Sequence, residues 1–209
     1  RAALGVLRLL IEGELDLDLQ TLLERAATHF EPAICAESVV ETVFEFTMDR
    51  LRGYYLDQGV RPDALEAVLD CRPTRPLDFD RRVRADSAFL EQTEAFSLAA
   101  TNKRIRNLLK KVETVLPLEV CSELLIEEAE QALARRLVEL SSEAIQLMEN
   151  GLYGEALNQL MHLREPVDAF FDQVLVMAND PVLRDNRIAL LNELSSLFLR
   201  VADFSRLRD

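Results

Sequence analysis

The sequence predicts an all-α fold, a helical bundle or helical array, and three observations carry that prediction. Apolar residues recur at intervals of three and four almost without interruption, the spacing that lines one side of an α-helix. Turn formers are scarce: 6 glycines and 7 prolines in 209 residues leave long uninterrupted segments. No period-two alternation lasts long enough to need a sheet. Hydrophobic residues make up 49% of the chain, enough for a sizeable core and too many for wholesale disorder. No apolar run approaches the roughly 18 residues that would cross a bilayer, so no membrane partner is expected.

The opening R-A-A-L-G-V-L-R-L-L-I-E-G reads as the interior of a helix. It has no small-residue cleavage site, carries Arg8 inside its apolar stretch and does not begin with methionine, so a piece of a longer polypeptide is expected. Leu19, Leu22, Leu23, Ala26 and Phe30 form the next stripe, with Asp18 placed to cap it. Val40, Val43, Phe44, Met48, Leu51 and Tyr55 form a longer one, ended by Gly59. Pro62 sits where a first helical turn accepts proline, and Leu65, Val68 and Leu69 give a short helix. R-P-T-R-P (72–76) cannot continue it. Phe79, Val83, Phe89 and Leu90 mark another helix, whose apolar stripe also contains Asp86; Arg82 is the available partner. A helix over 94–112 ends before Pro117, and a long one is expected from about Glu119 to Glu149. E-N-G-L-Y-G (149–154) breaks it. Tyr153, Ala156, Leu157 and Leu160 begin the next, Pro166 restarts the chain, and N-D-P (179–181) opens a last helix running to about Phe204. The expected division is a helical body segment over 1–92 and a helical bundle over 93–209.

Enzyme signatures are missing. Cys35, Cys71 and Cys121 lack C-x-x-C spacing and read as reduced thiols rather than a disulfide framework or zinc site. His29 and His162 have no second ligand at metal spacing, and no phosphate-binding glycine loop or nucleophile elbow is present. Glu127, Glu128 and Glu130 lack the Glu-x-x-His companion of a dimetal site and read as a solvated helix face. Neither catalytic residues, nor metal ligands, nor a cofactor are expected in this chain.

Charge is the most informative property. The net formal charge is −13, which repels nucleic acid at long range. Residues 50–111, however, hold 13 Lys/Arg against 9 Asp/Glu, net +4, and the protein's three lysines all fall in A-A-T-N-K-R-I-R-N-L-L-K-K (99–111). On a helix, Ile105, Leu108, Leu109 and Val112 share one face, and Lys103, Arg104, Arg106, Lys110, Lys111 and Asn107 lie opposite. Five cations and an amide on one side suit phosphate contacts, with asparagine able to read a base edge or a 2′-hydroxyl. The same pattern is also that of a solvated face balancing acidic surroundings.

Several blocks resemble a known family. M-D-R-L-R-G-Y-Y-L-D-Q-G-V-R-P-D-A-L-E-A-V-L (48–69), R-P-T-R-P-L-D-F-D-R-R-V-R-A (72–85) and the basic run 99–111 are similar to the C-terminal part of the β subunit of bacterial tetrameric glycyl-tRNA synthetase. The tail 166–191 resembles the helical anticodon-binding domain of arginyl-tRNA synthetases, named for an acidic-Ala-Leu-Arg signature that survives in part as Asp180, Pro181, Val182, Leu183 and Arg184. Thr101 and Asp86 depart from the pattern, where a small apolar and an aliphatic residue are expected. The resemblance implies an array ending in an anticodon-binding domain, cytoplasmic and non-catalytic. Its partners would be glycine tRNA and an α subunit that makes glycyl-adenylate with ATP and magnesium. It also implies tRNA-contact candidates: Lys103, Arg104, Arg106, Lys110 and Lys111 for phosphates, Asn102 and Asn107 for base edges, and Arg184 and Arg187 on the last helix. For these two arginines the favoured reading is structural, buried or interface side chains bonded to neighbouring helix ends. The competing expectation for the whole chain is a helical protein–protein scaffold.

Overall fold

A computed structural model describes residues 1–31, 37–112, 117 and 119–207. Among these the only regular structure is helical: α1 (Ala2–Glu12), α2 (Leu19–Ala27), α3 (Glu37–Leu56), α4 (Pro62–Leu69), α5 (Pro76–Phe89), α6 (Thr93–Leu109), α7 (Glu128–Glu149), α8 (Tyr153–Leu160), α9 (Arg164–Gln173) and α10 (Pro181–Leu199). Local chemistry explains most starts. Prolines occupy the first turn of α4, α5 and α10, where the missing N–H costs nothing. Asp18 caps α2 by accepting from the Thr21 amide at 2.9 Å, and it also accepts from the Thr74 hydroxyl, tying α2 to the loop before α5.

The helices α1 and α3 pack with α2, α4 and α5 at one end; α5 passes the core to α8, and α7, α8, α9, α10 and α6 close the other end. One contiguous set of buried residues runs through both ends, from Leu7 and Leu10 to Phe198 and Leu207. Phe204 is central to the junction, its ring edge-on to Phe89 at 5.9 Å and to Phe198 at 5.8 Å between centroids.

The last helix stops at Leu199, short of the expected Phe204. The chain turns back there: the Asp203 amide donates to the Ala67 carbonyl at 2.8 Å, and a single 3-10 turn (Phe204–Arg206) lies across α4 and α6. The helix expected from Glu119 starts instead at Glu128. Side chains from elsewhere satisfy the intervening backbone. Asn186 clamps Cys121, accepting from its amide at 2.7 Å and donating to its carbonyl at 3.1 Å. The Glu130 carboxylate accepts from the amides of Ile126 and Glu127 at 2.7 and 3.1 Å, completing a capping box with Glu127.

Asp86 is fully buried, and neither carboxylate oxygen has a hydrogen-bond partner. The expected pairing with Arg82 does not occur. Arg82 bonds Asp78 one helical turn away at 2.7 Å and lies over the Tyr153 ring. Cys71 and Cys121 are free thiols, while Cys35 falls outside the described residues.

Gly151, at the turn between α7 and α8, has φ +73° and would set a Cβ 2.7 Å from Arg81 Nη1. Gly151→Ala is expected to lower stability by about 1–2 kcal/mol, read as a shift in the urea midpoint with an unchanged slope.

Candidate nucleic-acid interface

The basic segment folds as α6 with its apolar stripe inward: Leu98, Ile105 and Leu109 are buried, with Ala95 one turn earlier. Three partners hold the helix. The α9 helix runs alongside, where the Thr101 hydroxyl donates to Asp168 at 3.4 Å; α10 packs beneath; the C-terminal turn crosses the remaining side. A polar Thr101 is therefore accommodated at the α6–α9 seam by a carboxylate.

The predicted contact residues separate into groups. Lys103, Arg104, Asn107, Lys110 and Lys111 retain solvent access, and among the described residues none of these four cations forms an ion pair. Arg104 lies over the Phe171 ring of α9, its guanidinium carbon 4.0 Å from the centroid, while the residue stays exposed. Lys103 looks onto a groove whose far wall carries Asp63, Glu66 and Asp70 of α4 together with Arg206. On the other side Lys103, Arg104, Asn107 and Lys111 share a groove with Ala100, Leu108 and Met177, in which, among the described residues, no carboxylate takes part. The field favouring an anion is therefore lopsided, strongest toward α9 and weakened toward α4.

Three candidates point elsewhere. Asn102 is 2% exposed and belongs to the packed side of α6. Arg106 donates to Asp203 at 3.2 Å beneath the C-terminal turn. Burial by itself would raise the Asp203 carboxyl, but the Ser205 hydroxyl bond and the Arg106 charge outweigh it and hold the group below the usual carboxylate range. Arg187 is buried, bonded to Glu130 and donating from Nη1 to the Leu175 carbonyl at 2.8 Å. These three are structural side chains, because a helix wheel cannot show which flank another segment will cover. Arg184 stays half-exposed in the first turn of α10, 3.7 Å from Asp185 and apart from the α6 groove.

Sequence reasoning missed Phe171 and Met177 as parts of this surface, and the exposed Leu175 two residues before Met177. A faint signal existed: V-L-V-M (174–177) sits between a helical stripe and N-D-P, and extended chain buries every second residue. Elsewhere, among the described residues, no group of three or more His, Cys, Asp or Glu is arranged to hold a metal ion, and no helix is long and apolar enough to cross a membrane.

Among the described residues the fold is an all-helical module with an accessible cationic face on α6, and the comparisons narrow the class. Residues 98–200 match the DALR anticodon binding domain, and residues 1–70 match the glycyl-tRNA synthetase beta subunit model. Along its whole length the chain is 50% identical to the glycine–tRNA ligase beta subunit of Aeromonas hydrophila subsp. hydrophila over 208 residues, 49% to that of Glaesserella parasuis and 47% to that of Pasteurella multocida. The chain belongs to the glycyl-tRNA synthetase beta-subunit family, and it spans 30% of the length of these relatives.

Proposed function

We infer that this chain is the tRNA-binding C-terminal region of a glycine–tRNA ligase beta subunit. It supports ATP- and magnesium-dependent glycylation of tRNA that the alpha subunit carries out in the cytoplasm. Residues 93–209 act as the anticodon-binding bundle and 1–92 as the body that carries it; family matches ending at 70 and resuming at 98 support that division. The observation that carries the reading is the outer face of α6. Lys103, Arg104, Lys110 and Lys111 are accessible around Asn107 in a chain of net charge −13. Such a face meets the sugar-phosphate backbone of an anticodon arm, while the acidic remainder disfavours other placements.

Titration with glycine tRNA at several salt concentrations tests this. Changing Lys103, Lys110 and Lys111 together to glutamine is expected to reduce the slope of log K against log salt by about 2, at roughly 0.7 per phosphate contact. Arg106→Gln is expected to leave the slope unchanged, because its guanidinium is already committed to Asp203.

The second reading, a protein–protein scaffold, draws on an apolar groove between α2 and α3 lined by Leu23, Phe30, Val39, Val40 and Val43. An unchanged slope in the triple-lysine variant with its melting temperature intact favours that reading instead.

A further inference from the structure

We propose that Leu175 and Met177 form a stacking surface for the unpaired nucleotides of an RNA loop, beside the α6 cations that take its phosphates. The inference rests on the reading of α6 as an RNA-binding face and extends it from backbone charge to base recognition.

The chain leaves α9 through an extended Val174, at φ −112° and ψ 124°, and bends at Val176 and Met177. Side chains then alternate: Val174 and Val176 are buried, whereas Leu175 is 71% and Met177 53% exposed. The arrangement is braced from below. Arg187, itself buried and bonded to Glu130, donates to the Leu175 carbonyl at 2.8 Å. Two apolar side chains are thus held out in water by a segment whose backbone is pinned to the core.

Met177 shares its groove with Arg104, Asn107, Leu108 and Lys111. Cations and an amide of α6, the Met177 side chain facing them and, among the described residues, no carboxylate between them are complementary to an anion that also carries flat apolar faces. A single-stranded nucleotide is such a group. Its phosphate answers the ammonium of Lys111 and the guanidinium of Arg104, and its base, unstacked in a loop, offers a face to the thioether and the aliphatic chain. A base-paired stem hides those faces in its own stack and gains nothing from Leu175 or Met177. Arg104 is placed for this role by its cation–π contact with Phe171, 4.0 Å from the ring centroid.

The test uses the chain carrying Leu175→Ser and Met177→Ser together, with Val138→Ser on the exposed side of α7 as control. The probes are an RNA hairpin with the anticodon loop of a glycine tRNA and a blunt duplex of the same stem. Hairpin affinity is expected to fall roughly tenfold, about threefold for each aliphatic side chain, less than the roughly fivefold or more that loss of an aromatic stacking partner brings. Duplex affinity, the salt slope and the Val138→Ser values should not move. Unchanged hairpin affinity, in a protein whose triple-lysine variant does bind the hairpin more weakly, overturns the proposal while α6 stands, and gives the apolar pair to a protein partner. Equal losses on hairpin and duplex overturn it too. If the unaltered chain binds neither RNA, the reading of α6 fails and this inference with it.

Discussion

Glu130→Ala is expected to lower the stability of the fold by about 3–5 kcal/mol, measured as the free energy of urea unfolding. Glu130 is fully buried and answers three demands at once: the charge of Arg187 and the amides of Ile126 and Glu127 at the start of α7. Its removal leaves a buried guanidinium without its counter-charge and two helix-start donors without an acceptor. Against a typical total of about 5–15 kcal/mol this is a large share. Arg187→Ala should cost less, because the carboxylate keeps both amide donors. The discriminating measurement is the pair Glu130→Met with Arg187→Leu. Replacing both charges with apolar groups removes the unpaired charge, so the double variant should be more stable than Glu130→Met alone. Simple additivity of the two losses would mean that the pair is not coupled. Arg187 also anchors the Leu175 carbonyl. Variants at either position are therefore expected to weaken RNA binding indirectly, by releasing the 174–177 segment, with the salt slope of α6 retained.

Local pattern and tertiary choice divide the legibility of this molecule. The α6 stripe of Leu98, Ile105 and Leu109 was readable because three- and four-residue spacing is sufficient to say which side of a helix turns inward. Capping and prolines likewise announced the starts of α2, α4, α5 and α10. Arg106 was misread because its partner, Asp203, lies 97 residues away on a turn whose return to α6 no local periodicity encodes. The same holds for 119–127, where amphipathic spacing suggested helix but Asn186 and Glu130 supplied the backbone with other partners. Arg82 shows the opposite failure. A local carboxylate at i−4, Asp78, took the guanidinium, and the buried Asp86 was left without it. The cationic face was thus legible as a face. Its division into a committed flank at Arg106, an open flank at Arg104 and Lys111, and a Lys103 shared between that open groove and the acid-lined one required the surrounding segments.

Stability should fall as pH rises from about 4 to about 8, and Asp86 should be the reason. Burial pushes its carboxyl up to about 8 from an ordinary 3.8; the nearby Asp63 adds to the rise and Arg61 opposes it. A carboxyl that holds its proton more tightly folded than unfolded makes the native state the larger proton binder between those two values. Linkage then gives a negative slope of up to about 1.4 kcal/mol per pH unit, absent below the unfolded pKa and complete above the folded one. Other shifted groups act outside this window. The Asp203 carboxyl is held low, so its contribution is lost only in acid, and burial pushes the Cys71 thiol up to about 11. Asp86→Asn keeps the shape and removes the titration, so its melting temperature should match the parent near pH 4 and exceed it increasingly up to pH 8. Asp86→Leu goes further: it places an aliphatic group on the apolar stripe of α5 beside Val83, Phe89 and Leu90, and should stabilise at both pH values. The net charge of −13 also favours unfolding as carboxylates ionise, but that repulsion is shared by parent and variants, so the difference between their pH profiles isolates one side chain. Parallel profiles for the parent and Asp86→Asn would mean that Asp86 is solvated or paired in solution. A pair of profiles converging toward pH 4 would show a proton stored on a buried carboxyl that, unlike buried Glu130 with its Arg187, has no counter-charge bonded to it.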